Sequence, residues 1–167
     1  AKELDYEKGL ARSILIFSKI HVSKSEYPEA LEDALKSLEL YKKEENYKHK
    51  DIIAVYNTLG MISSYQNDPN KSLDYFNKAL DVAKEGGNRR DQADMLNNIG
   101  ITYYSKGDLD EAVTFYKKSI AIYEQLGLNK RTESAINNIA VIFTIQGRYT
   151  EALEYYNKIL VSFREDN

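Results

Sequence analysis

The chain has 167 residues, 43% of them apolar and 29% charged, the proportions of a soluble folded protein. A net charge of -3 gives no reason to expect nucleic acid, which calls for a basic face. The absence of cysteine removes disulfides and thiolate metal sites, and no apolar run approaches the ~20 residues that span a bilayer, so no membrane insertion is expected in this segment.

The chain opens on Ala1-Lys2-Glu3, with neither an initiator Met nor a signal peptide, and reads as an excised fragment. A cytoplasmic location is favoured over a periplasmic one. With only two prolines and no alternating Val/Ile runs, the pattern predicts long helices and no strands.

In chain order, Ile14, Phe17, Ser18 and His21 share one helical face, followed by a break at Ser25-Glu26. Ala30, Ala34, Ser37 and Leu38 then mark a second helix. A charged loop follows, from Lys42 to Lys50. The pattern restarts with Tyr56, Leu59 and Gly60, a break at Asn67-Asp68, then Ser72, Phe76, Ala79 and Leu80. The third unit has Leu96, Ile99, Gly100 and Tyr103. Gly107 ends that helix, and Ala112, Tyr116, Ser119 and Ile120 make the next. The fourth has Ile136, Ile139, Ala140 and Phe143, then Gly147, then Ala152, Tyr156, Ile159 and Leu160.

Asn97-Asn98-Ile99-Gly100 returns forty residues later as Asn137-Asn138-Ile139-Ala140, and forty residues earlier stands Asn57-Thr58-Leu59-Gly60. A fixed long period means one supersecondary unit stacked several times. The small residues Gly60, Gly100 and Ala140, and Ser72, Ala112 and Ala152, mark close helix crossings. The doublets Tyr75-Phe76, Phe115-Tyr116 and Tyr155-Tyr156 read as core and inter-repeat packing.

Gly100, Tyr103, Ala112 and Tyr116 match the small–aromatic–Ala–aromatic spacing of the tetratricopeptide repeat, which the chain resembles from about Leu10 to Phe163. The period is 40 where ~34 is common, and the usual proline near the end of the second helix is missing. The chain is similar to the longer subclass seen in kinesin light chains, cell-polarity adaptors and bacterial peptide-sensing regulators. HEAT-type repeats share the length but not the residue spacing. The resemblance implies an all-α, right-handed superhelical solenoid of four helix-turn-helix repeats. They form a single domain over 1–167, with repeats at approximately 10–46, 51–88, 91–128 and 131–167.

In such solenoids the side of the first helix opposite the core lines a concave groove. In the third repeat that side carries Asp94, Asn97, Asn98, Ile101, Tyr104 and Ser105. In the fourth it carries Ser134, Asn137, Asn138, Val141, Thr144 and Ile145. The second repeat offers Ala54, Asn57, Thr58, Met61, Ser64 and Tyr65, and the first Arg12, Leu15, Ile16, Lys19, Val22 and Ser23. An amide donates and accepts at once, so a row of asparagines suits an extended peptide backbone. Asn57, Asn97, Asn98, Asn137 and Asn138 are the backbone-binding candidates, with Met61, Ile101, Tyr104 and Val141 placed to receive side chains. The alternative is that these asparagines bridge helices and serve only the stack. Lys or Arg is absent from these sets in the last three repeats, which argues against a clamp for a carboxylate terminus.

Basic residues recur in the inter-repeat loops, at Lys48 and Lys50, Arg89 and Arg90, and Lys130 and Arg131. They form either an edge for acidic partners or solvated loop charge near helix C-termini. No catalytic constellation, cofactor motif or phosphate-binding loop is present, and His21 falls on a core position. The expected function is non-catalytic binding of a protein or peptide, as the sensory or adaptor region of a larger bacterial signalling protein. The alternatives are an oligomerisation scaffold without a peptide ligand and a regulatory small-molecule-sensing subunit. Ile159, Leu160 and Phe163 on the last helix suggest a homo-oligomer contact.

Overall fold

The structure is a computed structural model that describes residues 2–43 and 49–165. Among the described residues there are eight α-helices and no strand: α1 (Lys2–Ser23), α2 (Tyr27–Lys42), α3 (His49–Tyr65), α4 (Pro69–Glu85), α5 (Arg89–Lys106), α6 (Leu109–Gln125), α7 (Asn129–Ile145) and α8 (Tyr149–Glu165). The chain divides into two compact units, Ala1–Asn88 and Arg89–Asn167. Within the first, α1 packs on α2, α2 on α3 and α3 on α4; within the second, α5, α6, α7 and α8 follow the same order.

Each hairpin closes through one backbone device. A residue in the left-handed region ends the first helix: Ser25 (φ 62°), Asn67 (φ 58°), Gly107 (φ 83°) and Gly147 (φ 72°). The next amide then donates back across the last turn: Glu26 to His21 O (2.9 Å), Asp68 to Ser63 O (2.9 Å), Asp108 to Tyr103 O (3.0 Å) and Arg148 to Phe143 O (2.8 Å). This satisfies carbonyls that the helix end would otherwise orphan.

The small residues sit at the crossings. A Cβ added to Gly60 would lie 2.6 Å from the Phe76 ring, and one added to Gly100 would lie 2.9 Å from the Tyr116 ring. In the first hairpin the small residues carry hydroxyls and spend them on the facing backbone: Ser18 donates to Ala30 O (2.7 Å) and Ser37 to Ala11 O (2.8 Å).

The aromatic doublets divide their labour. Phe76 and Tyr116 are buried, whereas their neighbours Tyr75 and Phe115 are half-buried and face the partner helix. Tyr75 stacks on Tyr56 (6.4 Å) and Phe115 on Tyr103 (5.3 Å), while Tyr155 meets Phe143 edge-on (5.4 Å). Lys78, Lys118 and Lys158 lie over the outer ring in turn, so each exposed π-face carries a cation.

A single apolar face per first helix proves too narrow. On α7, Ile139 and Ile142 cluster with Val113 and Tyr116 of α6, and Ala135 clusters with Ile122 and Tyr123. Within each unit the inner first helix is thus wedged: α3 between α4 and α2, and α7 between α8 and α6. Phe17 corrects the expectation in the other direction. It shares the register of Leu59 and Ile139, which are fully buried, yet it is 56% exposed. The position is buried on α3 and α7 by a preceding helix pair, and α1 has none among the described residues.

Candidate functional site

Most of the groove candidates are solvent-accessible, on the faces of α3, α5 and α7. Met61, Ile101, Tyr104 and Asn137 are exposed; Asn57, Asn97, Asn98 and Val141 are half-buried. Asn57 directs its amide toward the Met61 sulfur at 3.9 Å. Two residues of the wider sets belong to the core instead. Leu15 is buried. Thr58 is 3% exposed and returns its hydroxyl to Ala54 O at 2.9 Å, which closes it to any ligand.

In the second unit the candidates converge. Tyr104 of α5 and Asn138 and Val141 of α7 line a cleft of ≈ 170 Å³ whose remaining wall is Tyr116 of α6. Asn138 is half-buried, and its side-chain amide has no hydrogen-bond partner among the described residues. Tyr116 is 2% exposed. Burial pushes its phenol well above the usual tyrosine range, and neighbouring Tyr104 adds to the shift. The sequence reading placed Tyr116 in the core by its helical spacing. Its share in a cleft wall leaves no signal in a period of single residues, because the cleft draws on three helices.

Asp94 and Arg12 are each engaged in an ion pair. Asp94 accepts from the Tyr123 phenol (2.9 Å) and from Arg131 (2.6 Å). Burial first, then the Asp94 charge, pushes the Tyr123 phenol up. Arg12 donates to Asp51 (3.4 Å), and its guanidinium is held charged by Asp51 and by a hydrogen bond with Tyr41. Both triads tie a first helix to the next first helix over a buried tyrosine.

The loop cations are partly committed as well. Arg131 is held by Asp94, and Arg89 donates to Gln125 at 2.9 Å; Lys50, Arg90 and Lys130 are exposed, and Lys48 lies outside the described residues. His21 pairs with Asp33 at 2.9 Å, so its ring stays with the first hairpin. Among the described residues no group of three His, Asp or Glu side chains is placed to hold a metal ion. Among the described residues no helix is long and apolar enough to cross a membrane. On α8, Tyr149, Leu153, Leu160 and Val161 are exposed, while the side chain of Phe163 lies outside the described residues.

Comparison with known proteins places this arrangement. Family profiles described as Tetratricopeptide repeat match residues 18–85 and 71–125, and a further one matches 132–165. No curated protein matches the chain. Among solved structures it is similar to aspartyl phosphate phosphatase F from Bacillus subtilis (19% identity, TM-score 0.89), covering 96% of this chain and 42% of that one. It is also similar to a Rap protein complexed with competence and sporulation factor (22%, TM-score 0.77; 95% and 44%). A third is a putative kinesin light chain with TPR-like repeats from Podosopora anserina (14%, TM-score 0.77; 93% and 75%). The chain therefore spans less than half the length of the first two.

Proposed function

This chain belongs to the tetratricopeptide-repeat family of all-α helical-repeat solenoids, and on that premise we propose that it is a peptide-binding module. The ligand is an extended segment laid along the accessible faces of the first helices within a unit. Asn97, Asn98, Asn137 and Asn138 meet its backbone in the second unit and Asn57 does so in the first. Ile101, Tyr104, Val141 and Met61 receive its side chains. The observation that carries this reading is the cleft between α5 and α7, where a half-buried amide without a partner stands beside apolar walls. Buried polar groups are normally hydrogen-bonded, and a backbone carbonyl or N–H of a bound strand satisfies an amide at little cost. The Rap protein with its bound competence and sporulation factor supports the reading by analogy of fold. The finer setting we propose is the sensory or adaptor region of a larger bacterial signalling protein.

The test is a peptide selected from a random linear library against the purified chain. Asn138→Ala should weaken it roughly threefold to a hundredfold. That range follows from ~0.5–1.5 kcal/mol for a lost neutral hydrogen bond, and ~1–3 where the ligand's group stays unpaired. The melting temperature should not move. Lys50→Ala should leave affinity unchanged. Selected peptides that ignore Asn138 and depend on Lys50, Arg90 and Lys130 would move binding to the loop edge and end the proposal.

A second reading rests on α8, where Tyr149, Leu153, Leu160 and Val161 leave apolar surface exposed. We propose that this face mediates self-association. Sedimentation at rising concentration should show dimer that Leu153→Glu with Leu160→Glu abolishes; a monomer throughout would refute it.

A further inference from the structure

We propose that Tyr116 is a specificity-determining residue: its hydroxyl and the Asn138 amide make the cleft between α5 and α7 a subsite for one short, uncharged, hydrogen-bonding side chain of the bound peptide. The inference rests on the peptide reading above and names which residue the peptide must carry.

Tyr116 is 2% exposed and forms part of the cleft wall, and no hydrogen bond from its phenol exists among the described residues. A buried tyrosine hydroxyl usually finds a partner. Asn138, which lines the same cleft from α7, is likewise without one. Two unpaired groups that each donate and accept therefore share one cleft of ≈ 170 Å³, with Val141 and the Tyr104 ring completing it. Space of that size admits a small side chain and not a helix or a large cofactor.

The lining selects chemistry as well as size. No Lys, Arg, Asp or Glu lines the cleft, so a charged side chain entering it loses hydration without gaining a counter-ion. An apolar side chain leaves both polar groups unpaired. Ser, Thr, Asn and Gln satisfy both conditions, since each returns a donor and an acceptor to groups that need them. The corresponding ring of the preceding repeat is Phe76, which carries no hydroxyl, and the packing role at Gly60 is filled without one. The phenol oxygen of Tyr116 is thus surplus to the helix crossing.

The experiment uses peptides selected from a random linear library on the intact chain, measured against wild type and Tyr116→Phe. Sequences should converge on Ser, Thr, Asn or Gln at one position. Tyr116→Phe should weaken them about two- to tenfold, the factor expected for one neutral hydrogen bond. Alanine at that peptide position should weaken binding to wild type and cost less in the Tyr116→Phe background, because the two changes remove one shared contact. Without peptide, Tyr116→Phe should melt no lower than wild type; a clear fall would mean that the hydroxyl is already paired in the free protein, and would overturn the inference whatever the peptides do. Peptides that depend on Asn138 but bind Tyr116→Phe equally well would overturn it while sparing the peptide reading. Failure to select any peptide would remove both.

Discussion

The two units repeat the same skeleton with opposite charges at one place and different chemistry at another. In the first unit Arg12 on α1 meets Asp51 on α3 over Tyr41 of α2. At the corresponding positions of the second unit Asp94 on α5 meets Arg131 on α7 over Tyr123 of α6. The geometry is kept and the polarity reversed, the behaviour of a brace whose only task is to tie successive first helices. The cleft behaves otherwise. Tyr104, Tyr116, Asn138 and Val141 in the second unit correspond to Val22, Ala34, Thr58 and Met61 in the first. There the hydroxyl of Thr58 is returned to its own helix. Structural positions keep their function through compensated exchange, while the positions that carry surplus hydrogen-bonding groups are confined to one unit. The asymmetry sets the shared braces apart from the cleft proposed as the binding site.

The strongest way to break this comparison is to strike the crossings, which the two units share. Gly60→Leu and Gly100→Leu should each cost ~1–3 kcal/mol by overpacking. Gly60 should suffer more, because its new Cβ starts at 2.6 Å from a ring carbon against 2.9 Å at Gly100. Thermal melting checks both. A Gly100→Leu protein with an unchanged melting temperature would mean that Tyr116 swings aside freely, and the cleft wall with it.

These crossings were legible because a backbone contact forces the residue type every time: the forty-residue recurrence of Gly60, Gly100 and Ala140 says so directly, as do the hairpin breaks at Asn67, Gly107 and Gly147. The row buried toward the preceding repeat was not. Ile62 and Ile142 lie on a helix face whose burial depends on what stands behind it, and Ile20 shows the same register exposed. The braces escaped for a related reason. Asp94 and Arg12 differ in sign, so no repeat pattern links them. Of the binding candidates, Asn138, Val141 and Tyr104 do come together in the structure. Thr58 shares the Asn138 register, but its hydroxyl reaches its own i−4 carbonyl, a bond that the Asn138 amide does not make.

The brace offers the next test. Asp94→Arg should destabilise the second unit by ~1–3 kcal/mol, since it leaves the buried Tyr123 phenol unpaired and sets two cations side by side. Adding Arg131→Asp installs the polarity of the first unit and should recover most of the loss. If the double variant melts as low as the single one, the two triads are not interchangeable and the correspondence between them fails.

Alkaline titration separates the units more gently. The phenols of Tyr116 and Tyr123 are raised chiefly by burial, so their neutral forms favour the folded state. That contribution is complete below the ordinary tyrosine value of ~10 and is lost as pH rises toward the folded values. Both residues are on α6, and their counterparts on α4, Phe76 and Ala83, cannot ionise. Ultraviolet difference titration should show Tyr116 and Tyr123 ionising above the ordinary tyrosine range. Amide exchange above pH ~10 should quicken in α6 before α4. Equal quickening in the two helices would remove the special standing of α6.

The smallest effect is expected at two aspartates that share a position and differ in use. Asp68 caps α4: its carboxylate accepts from the Lys71 amide at 3.1 Å, and that bond, ahead of the Lys71 ammonium, holds it below the usual carboxylate range. Asp108 precedes α6 at the same place in the repeat, makes no side-chain cap bond and turns to Lys106 at 3.2 Å. An N-cap bond supports the first turn, whereas an exposed ion pair adds little. Asp68→Ala should therefore lower the melting temperature by more than Asp108→Ala at neutral pH. Because the folded value of Asp68 is depressed, its contribution is present above the unfolded value of ~3.9 and fades as pH falls through the folded one. The gap between wild type and Asp68→Ala should close in acid, while any gap left by Asp108→Ala should also be sensitive to salt at neutral pH. Equal losses from the two substitutions at neutral pH would show that the cap bond contributes nothing beyond the charge at the helix N-terminus, and that the hairpins of the two units are held in the same way.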